Sequence, residues 1–511
     1  MDIIGINRHH NASSCLVRQG EIVFHIEEER LTRHKRDSVA YKALVNALKY
    51  TREMKHLALS GMSAIPKAEV NLADMYTIIA TKYQEKEFTW HDLGHLHHES
   101  HAACAFYNSG FDEAVCVIVD GCGSRVGDKE EMESVFLAQY PATFFPVLKR
   151  YYAPNMISVG WMFEAISKHF GFDRLDGGKV MGLSAYGKPN SNIPDMGDPY
   201  LYYKDSFIPK TYNETFQVRA DLAKKLQEVT QKRVLDLILD AVEKTGVKNV
   251  CLSGGYALNC LANSFYLKHL PKDINLYIEP ISSDAGTSIG AAKTLWHFFT
   301  NDCTKRKLES LYLGNFPAYS KYRHLHSEKD NVNYEEIVDI LLDKKVVALF
   351  QGRSEAGPRS LGNRSILFDP RVKNGKDIVN TIKKREEFRP FAGTILEEDF
   401  EEWFDTLGLK SSPFMMYALE VKEEKRELIP SIVHVDGTCR IQTVNEKQNF
   451  HLYHLIREFK KRTGVPILFN TSLNLAGEPL CETLQDAIST FENSEIQFLF
   501  LPEKQKLIFK Q

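Results

Sequence analysis

The sequence predicts an α/β protein of two successive domains, and three patterns along the 511-residue chain support this prediction. Residues 114–120 are apolar at both odd and even positions, which indicates a strand buried on both faces of a sheet. Between 221 and 300, strands, loops of small residues and amphipathic helices alternate, as in α/β domains whose loops gather at one end of the sheet. A charged segment without periodicity then precedes a new apolar strand. We therefore expect domains at 1–300 and 333–511, joined by a linker at 301–332.

Local patterns place the other elements. Apolar, β-branched runs predict strands, and spacings of three and four residues predict helices. The further predicted strands are 2–7, 14–18, 21–26, 249–252, 275–278, 346–350, 392–396, 416–421 and 466–469. The predicted helices are 221–244, a segment ending near 269, another ending near 300, 451–462 and 484–491. No internal repeat is visible in the sequence.

The composition is that of an ordinary globular chain. There are 64 basic and 67 acidic residues, and the net charge of -3 argues against binding nucleic acid through bulk charge. Nine cysteines, an odd number without a C-x-x-C pair, suit reduced thiols. The first residues lack the pattern of a signal peptide, and no run of apolar residues is long enough to span a membrane. We expect a cytoplasmic protein that does not associate with membranes.

Five histidines crowd one short segment of the first domain. On a helix, His97 and His101 share one face, and two imidazoles at that spacing can bind a metal ion. A solvated polar helix face is the simpler alternative. The H-E-x-x-H metalloprotease motif is excluded, because Ala102 stands where its second histidine is needed. Asp120, which ends a predicted strand, and Asp284, in the loop after another, are the candidate carboxylates that would complete a metal site.

Three loops of small residues, at 120–123, 253–255 and 284–287, form a second group. Glycines let backbone N–H groups approach phosphate oxygens, and helix N-termini favour anions. Each loop alone is a weak signal, because glycines are common in turns. Together they are similar to the nucleotide cleft of actin- and sugar-kinase-like ATPases. The candidate glycines are Gly121, Gly123, Gly254 and Gly255.

Basic residues among glycines form a third group, at 350–371 and 383–389. Arginine in such loops suggests bidentate capture of phosphate or carboxylate. A solvated basic surface is the alternative, and nucleic acid is a further one that the acidic balance disfavours. The residues concerned are Arg353, Arg359, Arg364, Arg371, Lys383, Lys384, Arg385 and Arg389.

The chain resembles the O-carbamoyltransferases that modify nodulation factors, cephamycin-type antibiotics and aminoglycosides. The resemblance covers nearly the whole chain and rests on eleven motifs in the family's order. These motifs are HNASSCLV (10–17), EEERLTRHK (27–35), HHESHAA (97–103), VDGCGS (119–124), GGKVMGLSAYG (177–187), LSGGYALNCLAN (252–263), SSDAGTSIGAA (282–292), FQGRSEAGPRSLGNRSILFDPR (350–371), REEFRPFA (385–392), VDGTCRIQTV (435–444) and FNTSLNLAGEP (469–479).

For the C-terminal region, the resemblance implies a YrdC-like α/β domain, which forms an acyl adenylate. It would use ATP and carbamoyl phosphate to make carbamoyl-AMP and release pyrophosphate. Cations and polar donors are what these phosphates require. The residues that match the family's carbamoyl phosphate and nucleotide positions are Arg359, Lys383, Arg389, Arg440, Ser472 and Asn474.

For the N-terminal region, the resemblance implies a TsaD-like domain of the actin/sugar-kinase superfamily. It would bind carbamoyl-AMP over a metal ion and pass the carbamoyl group to an acceptor hydroxyl. Asn259 joins the glycines of the nucleotide cleft. The implied metal ligands are His97, His101, Asp120 and Asp284. The family points to iron(II), while the ligand types leave zinc, manganese and magnesium open.

The resemblance also implies catalytic residues. His10 matches the motif whose histidine would activate the acceptor hydroxyl, and Lys35 matches a position near the substrate. Asn11 stands where the family commonly has Asp, so the carboxylate expected to orient His10 is missing from that position. Asp176 and Lys179 match further positions near the substrate, and a role as surface charges is their alternative.

Two other functions stay open from the sequence. One is an enzyme of the tRNA threonylcarbamoylation type, which the acceptor-side motifs and the lack of basic charge disfavour. The other is a non-enzymatic, actin-like nucleotide-binding regulator, which would have no use for the arginine-rich region. The acceptor itself is left open among sugars, antibiotics, toxins and nucleobases, and a homodimer is a further expectation.

Overall fold

The computed structural model describes residues 1–61, 88–153, 156–197, 215–319 and 326–510. The chain forms two compact units, Met1–Glu309 and Ser310–Gln511. Their boundary falls inside the segment 301–332 that was expected to link the domains, of which 320–325 lie outside the described residues. None of the helices in the described part of the chain combines the length and apolar character that a membrane span requires.

The first unit contains a five-stranded sheet close to the N-terminus, with the strand order β3-β2-β1-β4-β5. Its first three strands form an antiparallel meander, and β4 and β5 continue it in parallel to β1. The strands are β1 (Asp2–Asn7), β2 (Ser13–Arg18), β3 (Glu21–Glu27), β4 (Met54–Ser60) and β5 (Thr89–Asp92).

The second sheet of this unit repeats the first. Its central strand is the apolar segment 113–119, whose valines and isoleucine are fully buried. The order β9-β8-β6-β10-β11 again places an antiparallel meander on one side of the central strand and two parallel strands on the other. The strands are β6 (Glu113–Val119), β7 (Arg125–Val126, a short hairpin with the start of β8), β8 (Lys129–Gln139), β9 (Thr143–Tyr151), β10 (Asn249–Ser253) and β11 (Asn275–Ile278). This structural repeat has no visible counterpart in the amino-acid sequence.

Two helices cross between the sheets in a reciprocal way. The helix His97–Ser109 follows the last strand of the first sheet and packs on the second sheet. The helix Thr287–Thr300 follows the last strand of the second sheet and packs on the first. The two helices also pack against each other. The doubled sheet with its crossing helices confirms the predicted actin- and sugar-kinase-like class.

The remaining helices of this unit are Glu28–Thr32, Tyr41–Ala47, Val159–His169, Gly177–Ser184, Phe216–Thr245 and Cys260–His269. The longest one was predicted to start at 221 and starts at Phe216, because the Thr215 side chain accepts a hydrogen bond from Val218 N and caps it there. It ends at Gly246 in the left-handed conformation, as expected for a C-cap.

The second unit contains a nine-stranded mixed sheet in the order β12-β20-β19-β13-β14-β18-β15-β17-β16. Its strands are β12 (Ser327–Lys329), β13 (Val347–Phe350), β14 (Arg364–Phe368), β15 (Ala392–Leu396), β16 (Ala418–Glu420), β17 (Thr438–Val444), β18 (Ile467–Ser472), β19 (Phe498–Leu501) and β20 (Lys506–Phe509). Its helices are Tyr334–Leu342, Gly375–Lys383, Phe400–Trp403, Glu423–Arg426, Phe450–Thr463 and Leu484–Glu492. The α/β class is confirmed here, and the YrdC-like relationship stays a prediction.

Candidate functional site

Four side chains of the types that bind metal ions converge in the first unit. Asp120 directly follows β6, and Asp284 begins the turn that leads into the helix Thr287–Thr300. His97 and His101 lie one turn apart on the helix His97–Ser109, the counterpart of the helix after Asp284. The first repeat therefore contributes the two histidines through its crossing helix. The second repeat contributes the two carboxylates through the loops that follow β6 and β11.

The distances within this His97/His101/Asp120/Asp284 cluster are short. Nε2 of His97 lies 3.4 Å from Asp120 Oδ2 and 3.7 Å from Asp284 Oδ1. Nε2 of His101 lies 3.3 Å and 3.6 Å from the same two oxygens. Both histidines are at most 1% exposed, and Asp120, at 9%, is the most exposed of the four. Each imidazole thus faces both carboxylates in a buried site.

Electrostatics favours positive charge between the two carboxylates. Burial by itself lowers the pKa of His101, but Asp120 and Asp284 outweigh it and raise the pKa to about 9. Burial would raise the pKa of Asp120, but His101 and His97 hold it well below its usual range. The pKa of Asp284 is likewise held far below its usual range, against burial, by His10 and the ligand histidines.

The cluster fits a divalent metal ion. One ligand atom from each of the four side chains lies within 4.8 Å of the others. Nε2 of His101 is buried and makes no hydrogen bond of acceptable geometry among the described residues, although it faces two carboxylates. A buried polar atom of this kind is costly unless it has a ligand. Two imidazoles and two carboxylates suit iron(II), zinc or manganese better than magnesium, which prefers oxygen ligands.

Glycine loops hold Asp120 in place. Its Oδ1 accepts hydrogen bonds from Gly121 N at 2.8 Å and from Gly255 N at 3.1 Å, which leaves Oδ2 to face the histidines. Gly254 has a φ of 91°, and a Cβ on it would lie 2.4 Å from Val119 O, so only glycine fits there. These amides were expected to bind phosphate, but two of them donate to the Asp120 carboxylate instead.

The other nucleotide candidates also have internal partners. Gly123 N donates to Glu131 O at 2.8 Å. Asn259 caps the helix Cys260–His269 by accepting from Ala262 N, and its amide donates to Gln227 Oε1 at 2.8 Å. A role of these residues in nucleotide binding stays a prediction.

His10 shares its turn with a second histidine that the sequence analysis missed. Nδ1 of His9 lies 2.9 Å from Asp284 Oδ2, and Nδ1 of His10 lies 3.3 Å from the same oxygen. The Asn7 side chain holds the turn through the carbonyls of His10 and Asn11. Asn11 has a φ of 56°, which asparagine tolerates well. Asp284 thus lies beside His10, but His10 Nδ1 makes no hydrogen bond of acceptable geometry among the described residues. Burial lowers the pKa of His10.

The other residues expected near the substrate are Lys35, Asp176 and Lys179. Lys35 is exposed. Asp176 is bound by Arg36 at 2.5 Å and by Lys179 at 2.9 Å. Asp176 and Lys179 therefore form an ion pair with each other. Such a pair is compatible with their alternative role as surface charges, and a role near the substrate stays a prediction.

In the second unit, three predicted residues meet at the end of β18. The Lys383 ammonium donates to Ser472 O, to Ser472 Oγ at 3.1 Å and to Asn474 Oδ1 at 2.9 Å. Lys383 is 2% exposed, and burial, together with the charges of Arg385 and Arg389, holds its pKa well below the usual range. The structure brings these residues together as predicted.

Arg385 extends this group into a cationic cluster of Lys383, Arg385, Arg389 and Arg440. Burial, followed by the charges of Arg389 and Arg440, lowers the pKa of Arg385 to about 9. Mutual repulsion of this kind is relieved when an anion binds. Arg385 was among the basic residues suggested to capture phosphate, but it was not among those matched to the family's carbamoyl phosphate and nucleotide positions.

Three of the four loop arginines have partners within the protein. Arg364 is 0% exposed and donates to the carbonyls of Gln351, Gly352, Asn363 and Glu482. Arg353 donates to two carbonyls at 2.6 Å, and Arg371 forms a bidentate pair with Asp369. Capture of phosphate by Arg364 is wrong, because its donors are engaged and fully buried. For Arg353 and Arg371 that role stays a prediction. Arg359 is half-buried in the same loop.

Comparison with known proteins identifies the family to which the chain belongs. The chain matches the family models of the carbamoyltransferase N-terminus, over 40–206 and 201–293, and of the carbamoyltransferase C-terminus, over 338–506. The chain belongs to the carbamoyltransferase family and is a carbamoyltransferase. The family resemblance is therefore confirmed, and the non-enzymatic alternative is wrong.

Individual relatives include nodulation proteins and a cephem O-carbamoyltransferase. The chain is 32% identical over 546 residues to the nodulation protein NolNO of Sinorhizobium fredii, covering 96% of this chain and 78% of the relative. It is 34% identical over 433 residues to the nodulation protein NolO of Bradyrhizobium diazoefficiens, covering 79% and 77%. It is 28% identical over 354 residues to the 3'-hydroxymethylcephem-O-carbamoyltransferase of Streptomyces clavuligerus, covering 63% of each chain.

Proposed function

We propose that this carbamoyltransferase uses ATP and carbamoyl phosphate in two steps, one in each unit, to carbamoylate the hydroxyl of an acceptor. One observation carries the proposal: the two units hold two different kinds of site. The second unit has a cationic cluster around the buried Lys383, and the first has a buried group of two histidines and two carboxylates. The first kind suits phosphates, and the second suits a divalent metal ion.

The first step forms carbamoyl-AMP in the second unit. Carbamoyl phosphate and water give carbamate and phosphate. A carbamate oxygen then attacks the α-phosphorus of ATP, and pyrophosphate leaves. Arg385, Arg389 and Arg440 neutralise the phosphate oxygens, while Lys383 is held by Ser472 and Asn474 at the edge of the cluster. Arg359 is assigned to carbamoyl phosphate by its match to the family.

The second step transfers the carbamoyl group in the first unit. The acceptor oxygen bonds to the carbamoyl carbon, the bond from that carbon to the AMP oxygen breaks, and AMP leaves. His97, His101, Asp120 and Asp284 would hold the metal ion. When bound, such an ion polarises the acyl phosphate and neutralises charge on the leaving phosphate. The amides of the glycine loops keep Asp120 oriented for this role.

His10 is the base that takes the proton of the acceptor hydroxyl. Its Nδ1 lies 3.3 Å from Asp284 Oδ2, so the charge of that carboxylate stabilises the imidazolium that forms when the ring takes up the proton. His9, which lies closer to Asp284, helps to hold that carboxylate.

The decisive experiment measures the two steps separately. The purified enzyme with ATP is assayed for pyrophosphate release with and without carbamoyl phosphate, and then for carbamoylated alcohol by mass spectrometry. Pyrophosphate release that requires carbamoyl phosphate, followed by transfer that requires a divalent metal, supports the proposal. Adenylation that requires threonine and bicarbonate would instead indicate an enzyme of the tRNA threonylcarbamoylation type.

A further inference from the structure

An aromatic side chain and a carboxylate lie over the loop that carries Asp120. A Cβ on Gly121 would be 3.5 Å from Trp161 Cδ1 and 3.6 Å from Glu164 Oε1. Both side chains project from the helix Val159–His169. They therefore lie one residue away from a metal ligand, and the sequence analysis selected neither.

Close backbone contact fixes this helix to the Asp120 loop. A Cβ on Gly160 would be 2.6 Å from Gly121 N. Ser158 caps the helix by accepting from Trp161 N at 3.1 Å, and its hydroxyl donates to Gly121 O at 2.6 Å. The Tyr152 ring lies 5.0 Å from the Trp161 ring. Trp161 and Glu164 are thus held at fixed positions beside the metal ligand.

The Trp161 indole N–H and the Glu164 carboxylate are polar groups without a hydrogen-bond partner among the described residues. Trp161 is 41% exposed, and its indole N–H forms no hydrogen bond with the described residues. Glu164 is half-buried, and its carboxylate forms no hydrogen bond or ion pair within the described part of the chain. An exposed indole face beside a carboxylate acceptor is a surface that can bind a ring through its apolar face and its hydroxyl groups.

We propose that Trp161 and Glu164 form the acceptor-binding platform of the transfer site and select a hydroxyl-bearing ring, such as a sugar, over an open-chain alcohol. The indole face packs against the ring, and the Glu164 carboxylate accepts a hydrogen bond from a hydroxyl of the same ring. This assignment rests on the proposed function, because it concerns the acceptor of the second step.

The test compares methyl β-D-glucoside with glycerol as acceptors. Enzyme supplied with iron(II), ATP and carbamoyl phosphate receives both alcohols together, and carbamoylated products and pyrophosphate are measured in parallel. We expect wild type to favour the glucoside. Trp161→Ala and Glu164→Gln should each reduce the ratio of glucoside to glycerol product about five- to tenfold, while Trp161→Phe retains most of it. Pyrophosphate release should stay at the wild-type rate.

Phe145→Ala is the matched control, because Phe145 is an aromatic residue of the same unit, on β9, and is 63% exposed. It should leave the product ratio unchanged. An unchanged ratio in Trp161→Ala and Glu164→Gln, or a wild type without preference for the ring, would overturn the platform. Pyrophosphate release without carbamoylation of either alcohol would also overturn it. Failure of carbamoyl phosphate to support pyrophosphate release would overturn the proposed function itself.

Discussion

Gly290 touches the backbone of Ser100: a Cβ on Gly290 would lie 1.8 Å from Ser100 O and 2.9 Å from Cys104 N. No side chain fits between the helices His97–Ser109 and Thr287–Thr300 at this point. One helix carries both histidine ligands, and the other begins three residues after Asp284. This single close approach therefore sets the distance between the ligands of the two repeats.

We expect Gly290→Ala to push the two helices apart. The added methyl group must displace backbone, and overpacking of this kind costs about 1–3 kcal/mol. The variant should unfold at lower urea concentration and bind zinc at least tenfold more weakly in a chelator competition. Gly178→Ala is the control for both measurements, because its Cβ would meet nothing within 4 Å. Wild-type zinc affinity in Gly290→Ala would contradict the role of this contact.

The metal ligands themselves can be tested by composition. His101→Ala removes one of two imidazoles that face Asp120 and Asp284, so the purified variant should lose bound metal and carbamoyl transfer. Pyrophosphate release in the second unit should stay near the wild-type rate. His95→Ala changes an exposed histidine of the same stretch and should retain the metal. If elemental analysis finds metal in His101→Ala, or if both activities fall together, the division into two sites is wrong.

The adenylation site should depend on the arginines assigned to the phosphates. Arg389→Ala and Arg359→Ala each remove a proposed phosphate contact, which typically costs about 2–4 kcal/mol, or about 30- to 1000-fold in rate. Pyrophosphate release that depends on carbamoyl phosphate should fall accordingly. Lys384→Gln is the control, because Lys384 lies next to the cluster but is exposed. Equal rates in all three variants would place the adenylation site elsewhere.

Local patterns were enough to select the four side chains of the cluster, whose role as metal ligands stays a prediction. His97 and His101 lie four residues apart on a helix, and Asp120 follows a strand whose apolar residues mark it as buried on both faces. Such signals act over a few residues, so the sequence alone displays them. Convergence of the loops was an inference from the fold class. Asp120 and Asp284 follow two strands of the second sheet, and the helix that crosses from the first sheet brings the histidines to them.

Long-range partners could not be predicted in the same way. Arg364 and Arg385 lie in similar basic stretches, yet Arg364 binds backbone carbonyls and Arg385 belongs to the cationic cluster. Only the tertiary structure decides whether carbonyls surround a guanidinium group. His9 was missed for the same reason, because its contact with Asp284 joins residues 275 positions apart.

A buried histidine far from either predicted ligand set should make the protein less stable in acid. His297 stacks on Tyr107 with a centroid distance of 4.1 Å, and it lies against the carbonyl of Asp302. Burial lowers its pKa to about 4, against about 6.5 in an unfolded chain. The unfolded state therefore binds more protons between these two values, and stability falls as the pH falls through that window.

For this one group, the free energy of unfolding should drop by about 2 kcal/mol between pH 7 and pH 5. His297→Phe keeps the ring stack but cannot take up a proton, so its unfolding free energy should lose about 2 kcal/mol less than wild type over the same interval. Urea unfolding curves at the two pH values measure this difference. His25, whose pKa burial also lowers to about 4, contributes equally to both proteins and cancels in the comparison. His269→Gln, at an exposed histidine, should show the full wild-type loss. The same loss in His297→Phe as in wild type would mean that His297 is not held neutral by its burial.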